Sequence, residues 1–246
     1  MRAQRVDAGA RQAGCRGQSS TGNSRGLIMQ AGQTLRDDAG NQVCLFPLPV
    51  LHVTQTSSPS SYSHCCGSPF DCVGASAAAN YYAPCDMRLI YAGPAGNGMP
   101  RIWQSQRQVR TPSGLAYVCV EFGHDNNPPY STVGATVRQG QLIGHTGTAG
   151  MVTGDHVHID QARGQNKTLR DYGIVCAGGN ECWALADSIV PTSIFYINNT
   201  TIIDSMGLRF STFDGGDPGP DPPDPPEPVI PEFEPMKFFF MALKRR

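Results

Sequence analysis

Nowhere in the 246 residues does a Cys-x-x-Cys pair occur. That excludes the zinc-ribbon and thioredoxin-type sites built on this spacing. No run approaches the about 20 consecutive apolar residues that span a bilayer, so no transmembrane segment is expected. The arginine-bearing N-terminus lacks an apolar stretch of the kind that forms a secretory signal. Charge of one sign is lacking too: the formal net charge is −1, and nothing global points to nucleic acid. Helical periodicity is scarce, with residues 75–82 and 181–188 the only short candidates. The glycine-rich segment 144–150 lacks the Lys-Ser/Thr ending of a phosphate-binding loop. No internal repeat is visible.

What remains is a chain of short strand-like segments separated by Gly, Asn and Pro. They fall at 88–92, 101–106, 115–122, 141–143, 157–160 and 194–196, after a mostly apolar, proline-broken run at 43–53 and a Ser/Pro/Thr loop at 54–63. This pattern predicts an all-β, antiparallel architecture. Composition divides the chain into four parts. Residues 1–26 hold five arginines and one aspartate among Gly, Ser, Gln and Ala, a composition that buries no core and reads as a flexible basic arm. Residues 27–213 carry the strand pattern. Residues 214–235 alternate proline with Asp and Glu, as a stiff polyproline II spacer does. Residues 236–246, Met236-Lys-Phe-Phe-Phe-Met-Ala-Leu-Lys-Arg-Arg246, set six apolar residues between basic ones, enough to dock in a groove or at an interface. Nine cysteines are many for a reduced protein. Cys176 and Cys182, bracketing a Gly-Gly-Asn turn, are the pair most readily bridged.

The chemistry gathers around Gly154-Asp155-His156-Val157-His158-Ile159-Asp160. On a strand, His156 and His158 share one face while Val157 and Ile159 pack behind. Two such imidazoles serve a metal, or divide into one ligand and one acid/base group. An isolated His-x-His is also compatible with a half-exposed strand of no chemical role. Upstream, His124 closes the apolar run that ends in Phe122-Gly123. His64 and Asp71 flank a Cys-Cys-Gly-Ser-Pro-Phe loop. His64, Asp71 and one histidine of the pair make a two-His, one-carboxylate set suited to catalytic zinc, which keeps a position open. Cys65, Cys66 and Cys72 are competing thiolate ligands nearby. His52 is assigned a structural role and His145 no chemical role.

The order His…Asp…Gly-His…Val-x-x-Gly-Gln-x-Ile-Gly-x-x-Gly-x-x-Gly…Thr-Gly-x-His-x-His resembles the lysostaphin/LytM-type zinc endopeptidases that cut peptidoglycan. The run from Val137 to His158 is its most specific part, and the resemblance covers about residues 50–160. It implies a fold of antiparallel sheets forming a groove with long loops, zinc held by His64, Asp71 and His158, and catalytic imidazoles at His124 and His156. Three departures stand out. Six residues separate His64 from Asp71 where three are usual, which resembles phage tail-tip variants. Ile159-Asp160 replaces an aromatic followed by Glu. An insertion rich in Gln, Arg and Pro separates Ile90 from Leu115, which predicts an altered groove rim.

The resemblance therefore implies a zinc hydrolase acting on the peptides of bacterial cell wall. With the basic arm, the spacer and the absence of an export signal, the expected setting is a phage tail tip, where residues 236–246 dock into a tail protein. A non-catalytic wall-binding or structural module on the same fold, and a bacterial wall-remodelling hydrolase, are the alternatives. A cysteine-rich zinc-binding interaction protein is a third reading and would lose its metal on thiol alkylation.

Overall fold

The alternation expected around His158 is realised by a strand whose two faces are both covered. In the computed structural model, which describes residues 34–94, 98–198 and 200–215, Val157 and Ile159 face the main hydrophobic core, while Ala162 packs with Ile102, Cys119 and Leu185 in a second, smaller cluster. The neighbouring strand Val118–Gly123 divides the same way: Val118, Val120 and Phe122 join the main core, and Cys119 turns to the smaller cluster. Each inward-facing residue is thus committed by pleat alone.

The strands run in chain order as β1 (Val50–Thr56), β2 (Phe70–Cys72), β3 (Asn80–Tyr82), β4 (Met87–Ala92) and β5 (Arg101–Ser105). Next come β6 (Val109–Thr111), β7 (Gly114–Ala116), β8 (Val118–Gly123), β9 (Thr136–Val137) and β10 (Leu142–His145). The last are β11 (Val157–Arg163), β12 (Leu169–Val175), β13 (Glu181–Leu185) and β14 (Thr201–Asp204). Eight of them form one sheet in the order β14-β1-β2-β11-β8-β5-β4-β9, and β3 with β10, β6 with β7, and β12 with β13 form three two-stranded sheets. Every pairing is antiparallel except β1 with β14. The all-β expectation is met.

The core lies where the large sheet meets the β3–β10 pair. Tyr81 of β3 stacks on Phe122 of β8 with ring centroids 4.9 Å apart, and Phe46, Phe70 and Phe195 fill the space beside them. β10 approaches so closely that a Cβ at Gly144 would stand 2.2 Å from the Tyr81 ring. That is the physical reason for a glycine at this point of the long motif.

Several expectations are corrected. The two short helix candidates are not helical: residues 80–82 form β3 and residues 181–185 form β13. Their side chains pair in sheets, and tertiary pairing overrides a weak local preference. Residues 194–196 form no strand; they follow a 3-10 turn at Pro191–Ser193, and Tyr196 makes only isolated bridges to Leu45 and Ser211. The segment between Ile90 and Leu115 is not a rim insertion alone, because it supplies β5, whose Ile102 and Trp103 are buried. Cys176 is bonded to Cys65 and Cys182 to Cys66, rather than to each other. Val175 stands opposite Glu181, so Cys176 and Cys182 lie one step beyond that pair in opposite directions, and each reaches the Cys65-Cys66 loop instead. Among the described residues, no helix is long and apolar enough to cross a membrane. The basic arm at 1–26 and the docking segment at 236–246 lie outside the described residues, as does nearly all of the spacer.

Candidate metal centre

Asp71 and His158 meet because β2 pairs with β11 in a register that puts them opposite one another. Asp71 lies between Phe70 and Cys72, both of which face the main core, so its carboxylate turns to the other face. His64 arrives from the loop between β1 and β2, where its amide donates to Ser61 Oγ. Three donor atoms converge. His158 Nδ1 is 3.1 Å from His64 Nε2 and 3.2 Å from Asp71 Oδ1, and His64 Nε2 is 3.3 Å from Asp71 Oδ1.

The spacing tests whether a metal fits. Tetrahedral zinc with bonds of about 2.0–2.1 Å sets its ligand atoms about 3.3 Å apart. All three separations match that value, and two imidazoles with one carboxylate are a donor set that zinc accepts. The residues present fit the ion.

Electrostatics agree with a prepared site. Burial acts to raise the Asp71 carboxyl, but hydrogen bonds from His158 and His64 outweigh it and hold the group well below the usual carboxylate range. Burial acts to lower His158, yet the Asp71 hydrogen bond and the charges of Glu121, Asp71 and Asp160 raise it to about 9. His64 is lowered, mainly by burial, against the pull of Asp71. Without metal, His158 therefore donates toward Asp71 and His64 Nε2. That puts the His64 proton on Nδ1, a buried atom with no hydrogen-bond partner.

His124 and His156 stand beside this triangle. Their ring centroids are 4.6 Å apart, and His124 is 5.9 Å from the His158 ring. Each Nδ1 lies against a backbone carbonyl: Ala149 O at 2.8 Å for His124 and Gly154 O at 2.9 Å for His156. A carbonyl only accepts, so each Nδ1 carries the proton, and on His124, the ring whose pKa is lowered, Nε2 keeps its lone pair. His156 Nε2 is 3.6 Å from Asp71 Oδ2. Burial, followed by the His158 charge, lowers His124 to about 4, so its imidazole is neutral at pH 7.

The backbone around these rings explains much of the long motif. His156 and Gly147 exchange two backbone hydrogen bonds, at 2.9 and 3.1 Å. A Cβ at Gly147 would stand 2.3 Å from His124 O, so only glycine admits the approach. Thr146 Oγ1 donates to Asp155 and accepts from Ala79 N at 2.9 Å, and Asp155 Oδ2 accepts from Ala78 N at 3.2 Å. His124 itself sits at φ +75°, a costly conformation for a residue with a side chain. It is held by a 2.6 Å bond from its amide to Gly98 O and by Ala149 N donating to its carbonyl at 3.0 Å.

The five residues expected to act together are thus adjacent. The thiols are not among them: Cys65 and Cys66 are in disulfides, and Cys72 points into the main core. His145 faces Asp125, whose Oδ2 accepts from the His145 amide at 2.8 Å. Residues that the motif did not single out also contribute. Arg101, 6 % exposed, donates to the carbonyls of Gly93, Met99, Pro100 and Tyr130, fastening the turn whose Gly98 carbonyl holds His124. Asp160 accepts from Leu185 N, Gln161 N and Ser188 Oγ, fastening β13 over the site strand. Glu121 is buried opposite Asp160 on β8. A charged residue within an otherwise apolar strand was the available signal for Glu121.

No family model matches the chain. A curated relative, Morphogenesis protein 1 of Bacillus phage B103, is 30% identical over 189 residues, which is 75% of this chain and 48% of the relative. The chain therefore spans about half the length of that protein. Among solved structures, a zinc-containing peptidase from Vibrio cholerae aligns with TM-score 0.38 and 18% identity over 52% of this chain and 40% of that one. The catalytic domain of lysostaphin from Staphylococcus simulans aligns with TM-score 0.30 and 20% identity over 41% of this chain and 68% of that one.

Proposed function

We propose that this chain is a zinc-dependent endopeptidase of the lysostaphin/LytM type, cutting peptide bonds of bacterial peptidoglycan, and that it works in a phage particle at the tail tip. The observation that carries the enzymatic reading is the donor triangle of His64, Asp71 and His158, with separations of 3.1, 3.2 and 3.3 Å. Beside it stand two histidines whose Nδ1 protons are already committed to carbonyls. The phage setting draws support from the morphogenesis protein to which the chain is similar.

A zinc ion bound there supplies Lewis acidity, lowering the pKa of water and favouring negative charge on a carbonyl oxygen. The chain's own residues do the rest. His124, neutral because burial lowers it to about 4, offers Nε2 as a proton acceptor at pH 7. His156 Nε2, 3.6 Å from Asp71 Oδ2, is placed to orient water or to return a proton to the departing amine. Backbone carbonyls on both Nδ1 atoms keep either ring from turning its protonated edge to the substrate.

Elemental analysis should find one zinc per chain, and His158→Ala should lose it. His124→Ala and His156→Ala should keep zinc and fold but lose activity by about 10²-fold or more, the usual contribution of acid/base help. Activity is read as new amino termini released from purified cell walls, with and without chelator. Stoichiometric zinc in His158→Ala would overturn the ligand set. Zinc-loaded wild type that releases no termini would favour a non-catalytic wall-binding module.

A further inference from the structure

β8 carries a carboxylate that the reading above does not use. Glu121 is 6 % exposed, and its Oε2 has no hydrogen-bond partner. A buried, unpaired carboxyl oxygen costs stability and calls for an explanation. The strand register supplies one. Asp160 of β11 stands opposite Glu121, and His158 stands opposite Gly123. Glu121 and His158 are therefore diagonal neighbours on one face, within reach of a long side chain.

The His158 ring has two distinct edges. Nδ1 is turned to His64 and Asp71. The other edge leans toward β8, with Cδ2 3.9 Å from where a Cβ at Gly123 would be. Nε2 is bonded to Cδ2, so it lies on that side. The glycine leaves the space beside this edge open on β8, and the next side chain on the same face is Glu121. Asp160, the other carboxylate on this face, already accepts from Leu185 N at 2.7 Å, from Gln161 N at 2.8 Å and from Ser188 Oγ. It is occupied, whereas Glu121 is not.

We propose that Glu121 is a positioning residue for His158: once the metal is bound, its carboxylate, with Oε2 unpaired in this structure, accepts a hydrogen bond from Nε2–H and holds the ring with Nδ1 directed to the metal. The inference rests on the reading of His158 as a zinc ligand. A carboxylate behind a ligating imidazole fixes its tautomer and strengthens it as a donor, and losing such a partner costs 10–100-fold in metal affinity. Burial raises the Glu121 carboxyl to about 7, and the His158 charge opposes that rise, as expected of two groups in mutual range.

The test measures zinc affinity by chelator competition, and thermal unfolding without metal, for the wild type, Glu121→Gln and Glu121→Leu. Glu121→Leu should bind zinc 10–100-fold more weakly while its metal-free form melts at or above the wild-type temperature, because an unpaired buried carboxyl has been removed. Glu121→Gln, whose amide oxygen still accepts a proton, should lose less. Wild-type affinity in Glu121→Leu would overturn the proposal, and so would a fall in affinity accompanied by a lower melting temperature, which marks a merely structural role. Failure of the wild type to bind zinc would instead sink the metal reading itself.

Discussion

At the scale of single residues, the site depends on which imidazoles are neutral. His124 is held down to about 4 by burial and then by the His158 charge, while Glu121 is held up to about 7 by burial. The stability consequences have opposite signs. A histidine with a depressed folded-state pKa binds its proton more readily when unfolded, so its contribution is present above about pH 6.5 and erodes as pH falls toward 4. A carboxyl with a raised folded-state pKa contributes fully below about 4.5 and loses that contribution as pH rises through 7. Between pH 4.5 and 6.5 the two oppose each other. Denaturation of the metal-free protein should show little pH dependence there, whereas Glu121→Leu should show stability rising with pH. An NMR titration of His124 in the metal-free protein should have its midpoint near 4 and move upward in His158→Ala. A midpoint at the ordinary value of about 6.5 in the wild type would remove His124 as the neutral proton acceptor.

At the scale of elements, the metal triangle hangs on a strand pair and one loop. Asp71 and His158 are set by the register of β2 against β11, but His64 sits in a loop, directly before the two cysteines bonded to Cys176 and Cys182. The bridges close loops with sequence separations of 111 and 116 residues that nearly coincide. Either bridge alone keeps the long loop closed, so Cys65→Ser or Cys66→Ser should cost about 2–3 kcal/mol and the double variant about 5–7. The double variant should also bind zinc more weakly, because His64 is no longer held in place. Equal losses in single and double variants, measured by chemical denaturation, would show that the bridges do not form together. These elements also mark what was legible in the sequence. His156 and His158 could be placed on one face, and His124 at a strand end, because pleat and turn signals are local. The glycines at 144 and 147 stood in the motif, but their cause, Tyr81 and the His124 carbonyl, lies across the fold. The bridges were misread because Cys176 and Cys182 are close in sequence, whereas their partners are brought over only by β12 and β13 folding back. Residues 181–185 resembled a short helix because Trp183, on the exposed side of β13, is apolar and hides the strand's alternation in the sequence. Arg101 carries no motif at all; its role comes from four carbonyls that only the assembled loops present.

At the scale of the whole molecule, the reading joins a hydrolytic domain to a means of delivery. Cell wall is a solid substrate, so a hydrolase that must open it at one point gains from being fixed there, where its effective concentration is set by a tether rather than by diffusion. The composition of residues 217–235, proline alternating with Asp and Glu, suits such a tether, reaching about 60 Å at about 3.1 Å per residue. The apolar run Phe238-Phe-Phe-Met-Ala-Leu243 supplies the proposed plug for a tail-protein groove. The prediction is that purified virions contain this chain, and that deleting residues 214–246 leaves wall-cutting activity intact in solution while removing the chain from particles. Wall penetration should then fail even though the isolated domain still releases amino termini. Particle proteomics and activity assays on the same truncation read the two halves separately. Undiminished incorporation after deletion would refute the tether. Absence of the full-length chain from virions would refute the tail-tip setting while leaving the peptidase chemistry standing.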